Sequence, residues 1–288
     1  MTLNDAHVHF FSSPFFSALG GDAALATLQW NAPGSADALA DRWVAELDRH
    51  GVSRAAIIAS IPGDAESVGA AVRRHPSRFV GMIMVDPTQA NAAVSAAYAI
   101  DRDRLRGICL YPAMHRYPIH DERARKVIDV AAARPGTVVF VHCGVLSVGV
   151  RKKLGLPSPF DLRFSNPVDL HAIALAYPAT TFIVPHFGAG YLREALMLAD
   201  LCPNVVLDTS SSNAWIRYHP GLTLRDVFRD VLAVAGPDRV LFGSDSSFFP
   251  RGWVANVHEQ QSTALDDINA SAEVREKIFG ANFDRVFA

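Results

Sequence analysis

Apolar, β-branched runs recur along the chain at fairly even intervals: residues 4–11 (NDAHVHFF), 54–61 (RAAIIASI), 79–86 (FVGMIMVD), 106–112 (RGICLYP), 137–144 (TVVFVHCG), 180–188 (TTFIVPHFG), 205–212 (VVLDTSSS) and 239–248 (RVLFGSDSSF). These eight segments read as strands, and their continuous apolar character is that of a sheet covered by helices on its outer face. Helical periodicity with recognisable caps fills the intervals. Ser35 opens a helix that Gly51 stops, Asn166-Pro167 opens another, and a third runs from Ser271 to Gly280. Strand and helix alternate throughout, and eight strand–helix units in 288 residues predict an α/β fold, a (β/α)8 TIM barrel, as one domain over residues 1–288. A doubly wound open sheet is the alternative; it calls for a glycine-rich phosphate loop after the first strand, and HVHFFSSPFF is not one. Two connections, Ser12 to Gly34 and Val145 to Ser165, exceed the usual barrel loop and read as lids or substrate walls.

Composition narrows the class. Half the residues are hydrophobic, enough for a large core, and the formal net charge of −2 is spread without a basic stripe, which excludes nucleic acid as a partner. No stretch has the length of a membrane span and MTLNDAHVHFF has no signal-peptide pattern, so the chain is expected to start at its first strand and to have no membrane partner. Cys109, Cys143 and Cys202 form no CxxC pair and lie in or beside apolar segments, as reduced thiols in the cytoplasm would.

In a barrel, catalytic groups sit where strands exit into loops. His7 and His9 fall at the exit of the first strand, His142 at the fifth, His186 at the sixth and Asp245 at the eighth, so all five share one rim. Imidazoles with a carboxylate form the donor set that borderline divalent metals prefer. His50, His75, His115, His120, His171, His219 and His258 fall in or beside helices and loops and are left outside the site.

Taken together, DAHVHF, RGICLYP, VHCG, PHFG, LDTS, RVLFGSDSSF and KIFGANFDRVF resemble the amidohydrolase-related family, nearest the branch of aminocarboxymuconate semialdehyde decarboxylase, resorcylate decarboxylase and pyrone dicarboxylate lactonase. The resemblance runs from residue 4 to the C-terminus. It implies His7, His9, His142 and Asp245 as metal ligands, and His186 as a non-ligand that orients or activates water, making Asp245 and His186 the catalytic pair. Binuclear members carry a bridging carboxylated lysine on the fourth strand. Here that strand has Cys109 and Tyr111, and none of Lys126, Lys152, Lys153 and Lys277 lies on a strand. One divalent ion is therefore implied, with Zn2+ the first choice and Mn2+ or Mg2+ as alternatives; Cys109 reads either as a soft ligand or as a small buried hydrophobe.

The expected activity is metal-dependent hydrolysis of an ester, lactone or amide in a small carboxylate-bearing molecule. Non-oxidative decarboxylation of an aromatic or unsaturated acid is the alternative, and a catalytically idle ligand-binding barrel a lesser one. Candidate substrate contacts are Tyr111, Arg163, Asn213, Arg217, Phe248 and Arg251, because arginine forks bind carboxylates and aromatics stack on planar rings. A small molecule is the expected partner, and a homodimer is left open.

Overall fold

The computed structural model describes residues 2–288. Eight parallel strands follow one another in sequence order: β1 (Asn4–Phe10), β2 (Arg54–Ala59), β3 (Phe79–Val85), β4 (Gly107–Leu110), β5 (Val138–Val141), β6 (Phe182–Val184), β7 (Val205–Asp208) and β8 (Val240–Leu241). Every expected strand is present. β8 spans two residues rather than the ten expected of it, yet the chain beyond it closes the barrel against β1. Ala6 donates to the Phe242 carbonyl at 2.8 Å, Asp245 to His7 at 3.0 Å and His9 to Ser246 at 2.7 Å. The result is a (β/α)8 barrel.

The period-2 alternation of each strand sorts its side chains into two cores. Ala56 and Ile58 of β2 and Val80, Met82 and Met84 of β3 fill the interior with Cys109, Phe140, Ile183, Val206 and Leu241. Their neighbours Ala55, Ile57, Ile83 and Val85 join the larger core under the helices. Gly81 faces that outer layer, where a Cβ would come within 2.5 Å of the Leu105 side chain. The N-terminal end of the barrel is sealed by Phe283, Val286 and Phe287, which belong to the interior core.

The caps follow the sequence. Ser35 caps the helix Ala36–Arg49 by accepting from Ala38 N–H, and Asn166 opens a 3-10 turn over Pro167–Leu170 that continues into the helix His171–Ala176. The last helix differs from expectation: Ser271 caps Ala272–Glu276, but the chain runs through a π turn over Lys277–Ala281 into Asn282–Val286 instead of stopping at Gly280. Gly280 is there for closeness, since a Cβ would lie 2.7 Å from the Thr2 carbonyl oxygen. The two long connections contain short helices, Ser13–Ser17, Asp22–Leu28 and Gly149–Lys153. They meet over the barrel mouth in a small core of Phe15, Phe16, Leu28 and Val150. No helix among the described residues is long and apolar enough to cross a membrane.

Candidate active site

An extra residue enters β1 between Asp5 and Val8, where the register with β2 shifts. Such a bulge re-aims side chains at a barrel rim. Here His7 and His9 bring their Nε2 atoms to 3.4 Å from each other. Asp245, on left-handed backbone at φ 58°, places Oδ1 at 3.8 Å from His7 Nε2 and 3.4 Å from His9 Nε2. One ligand atom from each of these three residues lies within 4.8 Å of the others.

The partners of the outer nitrogens decide what faces inward. His7 Nδ1 is 2.7 Å from Asp208 Oδ2, and Asp208 is held ionised: burial opposes the charge, but His7 and the hydrogen bonds outweigh it. His9 Nδ1 is 2.8 Å from Ser60 Oγ, whose own proton goes to the Ile58 carbonyl at 3.1 Å. Both Nδ1 atoms are therefore donors, and both Nε2 atoms present lone pairs to each other beside a carboxylate. That arrangement calls for a cation. Two nitrogens bound at about 2.0–2.1 Å to one tetrahedral ion stand roughly 3.3–3.4 Å apart, so the His7–His9 spacing suits a metal.

Electrostatics favour the ligating forms of His9, His142 and Asp245. Burial, reinforced by His186 and His7, drives His142 well below the ordinary histidine range. His186 is lowered by burial and then by His7. His9 is lowered by burial despite the opposing charge of Asp245. Asp245 is held down: burial resists ionisation, but the hydrogen bond with His9 and the charges of His7 and His9 prevail. His7 moves the other way: burial lowers it, but the charge and hydrogen bond of Asp208, with the charges of Asp245 and Asp5, outweigh that.

A family model described as Amidohydrolase matches residues 5–288. The chain belongs to the amidohydrolase family. Similar solved structures include the 5-carboxyvanillate decarboxylase of Sphingomonas paucimobilis, at 16% identity and TM-score 0.65 over 99% of this chain and 98% of that one. A probable 2-pyrone-4,6-dicarboxylic acid hydrolase of Acinetobacter baumannii with bound citric acid matches at 15% and 0.66 over 100% and 99%. A Burkholderia multivorans amidohydrolase with bound zinc matches at 16% and 0.66 over 100% and 99%. Among curated proteins, protein fluG of Emericella nidulans is 27% identical over 150 residues, half of this chain but 16% of that protein's length. The fold and family expectations therefore hold, and members of this fold carry zinc or manganese.

Around this amidohydrolase centre the remaining candidates divide. His142 is buried at the exit of β5, outside the three-residue group, and its Nδ1 has no hydrogen-bond partner. Tyr111 stacks on it, with ring centroids 5.4 Å apart, and its buried hydroxyl is also unpartnered. Each of these two stacked rings thus holds a buried polar atom with no partner among the described residues. Phe248 stacks on Trp30 at 3.6 Å, and Arg251 lies 4.6 Å over the Phe248 ring while donating to the Asp245 carbonyl at 3.2 Å. Asn213 is buried and shapes the loop after β7, accepting from Trp215 Nε1 at 3.1 Å.

Arg163 and Arg217 are not brought to the cluster as free clamps. Arg163 is exposed and forks onto Asp161, with its closest contact at 2.6 Å, and Arg217 is exposed and reaches the Tyr218 hydroxyl at 3.0 Å. Cys109 lies in the barrel interior, where burial pushes its thiol well above the ordinary range, as a small hydrophobe would sit. Asp208, Ser210, Ser60 and Trp30 also take part in the site, although none of the last three stands out as a candidate from local sequence pattern. Asp208 alone carried a signal, an acidic residue at a strand exit in LDTS.

Proposed function

We propose that this amidohydrolase holds one divalent ion, zinc first, on His7, His9, Asp245 and His142, and hydrolyses an ester, lactone or amide bond of a small carboxylate-bearing molecule. The observation that carries the reading is the pair of facing Nε2 atoms, each with its Nδ1 committed to an acceptor, next to the Asp245 carboxylate. When bound, the ion supplies Lewis acidity and lowers the pKa of water from near 16 toward roughly 7. The protein does the rest. Asp245 accepts a proton from the attacking water, and His186 orients that water. Tyr111 offers an unpartnered hydroxyl beside His142. Arg251, which has no carboxylate partner among the described residues, binds the substrate's acid group.

A second reading, non-oxidative decarboxylation, is favoured by the cover of the mouth. Trp30 stacked on Phe248 and the core of Phe15, Phe16 and Leu28 offer an apolar, aromatic surface on which a planar aromatic acid stacks. The protein is assigned to the cytoplasm, where its three free, buried thiols stay reduced. Elemental analysis of the purified chain, followed by a screen of lactones, esters and aromatic acids with parallel measurement of carbon dioxide, tests the reading. About one ion per chain with product acid and no carbon dioxide supports hydrolysis; carbon dioxide release selects the second reading; no bound metal overturns both.

A further inference from the structure

The end of β7 touches two imidazoles at once. Asp208 Oδ2 takes the His7 Nδ1 proton at 2.7 Å, and Ser210 N–H donates to Asp208 Oδ1 at 2.5 Å. Ser210 Oγ then stands 2.9 Å from His7 Nδ1 and 2.8 Å from His186 Nδ1. Asp208 and Ser210 are fully buried, so water does not compete for these groups. The barrel makes room for them with Gly243, where a Cβ would lie 2.8 Å from both Asp208 Oδ1 and Ser210 Cβ and 2.9 Å from His7 Cβ.

The protons on this hub can be assigned. His186 Nδ1 also lies 3.2 Å from the Ser210 carbonyl oxygen, which only accepts. Nδ1 therefore carries the proton, shared between the carbonyl and Oγ of Ser210. Nε2, which makes no hydrogen bond within the described residues, keeps the lone pair. We propose that Ser210 is a positioning residue: it holds His186 in the Nδ1–H tautomer, leaving Nε2 as the proton-transfer atom, and ties that imidazole to the ligand His7 through one hydroxyl. The roles of His7 and His186 rest on the metal-enzyme reading, whereas the tautomer assignment stands on geometry.

Nitrogen-15 NMR of the zinc-loaded full chain, labelled at histidine, reads the tautomer of each ring. The parent chain is expected to show His186 with a protonated Nδ1 and an unprotonated Nε2. Ser210→Ala, which keeps only the 3.2 Å carbonyl contact, is expected to weaken that preference and populate the other tautomer, and Ser210→Thr, which keeps the hydroxyl, to restore it. Chelator competition provides a second readout. Asp208→Asn should weaken zinc binding roughly 10- to 100-fold by freeing the His7 ring, and Ser210→Ala should weaken it less. A protonated Nε2 on His186 in the parent chain, or a Ser210→Ala spectrum with the tautomer population unchanged from the parent, overturns the proposal. The parent spectrum decides the assignment even where a variant fails to fold. Failure of the metal-enzyme reading shows separately, as a parent chain that takes up no zinc; the tautomer is then read on the metal-free chain with the same two outcomes.

Discussion

At its N-terminal end the barrel is closed by Phe283, Val286 and Phe287, with the Phe283 and Phe287 rings 4.8 Å apart, beside the buried Asn4, whose amide donates to Asp284 Oδ1 at 3.2 Å. At the opposite end the same strands open into His7, His9, His142, His186, Asp208 and Asp245. Two buried polar atoms there, on Tyr111 and His142, lack partners. The backbone differs in the same sense. Of ten non-glycine residues at positive φ, six (His186, Phe187, Ala189, Ser211, Asn213 and Asp245) follow β6, β7 or β8 at the mouth. Left-handed backbone costs roughly 1–2 kcal/mol per residue, and a buried unsatisfied polar group about 1–3 kcal/mol. The plug carries less of that load, with Asn4 Oδ1 its one unpartnered buried atom among the described residues, so it stabilises the barrel whose other end is held in a costly arrangement suited to chemistry.

If the division is real, substitutions at the mouth change metal and turnover while those at the plug change stability. The largest effect is expected from His9→Ala combined with Asp245→Ala. Metal content should fall from about one ion per chain to almost none, with cooperative thermal unfolding retained; elemental analysis and calorimetry check both. Metal retained by this variant would break the assignment of the mouth. His186→Ala comes next: it should stay metal-replete but lose roughly 10²–10⁴ in turnover, and an emptied site would instead make His186 a ligand. At the plug, Phe283→Ala should cost about 3–5 kcal/mol of stability, read by denaturant titration, and leave metal stoichiometry per folded molecule unchanged. A plug variant that loses metal before it unfolds would show that the two ends are coupled. The smallest effect is expected of Arg251→Ala, which should raise KM for a carboxylate substrate roughly 10- to 100-fold and change kcat little. A matched neutral ester should be unaffected by the same substitution.

Legibility followed the range of the interactions. The strands, the Ser35 cap and the rim positions of His7, His9, His142, His186 and Asp245 could be read from the chain, because apolar alternation, helix capping and strand-exit position are properties of a few neighbouring residues. The arginines show where that reach ends: Arg163 and Arg217 satisfy themselves on residues within two positions of their own, while Arg251, equally plausible in sequence, leans on the site. A glycine at 280 looked like a helix stop and proved to be a close approach to Thr2, a contact made only when the two ends of the chain meet.

What the sequence by itself determined is the barrel and the set of groups delivered to its rim, since pattern and strand order fix which residues emerge on the same side. Only the tertiary structure decided how those groups are used. Asp208 and Ser210 reach His7 across 201 and 203 residues of chain, and Ser60 reaches His9 across 51. Those contacts exist because β1 pairs with β2 and is closed against the end of β8 beside β7. The proton positions that leave the His7 and His9 lone pairs facing each other follow from that closure, which no local pattern encodes.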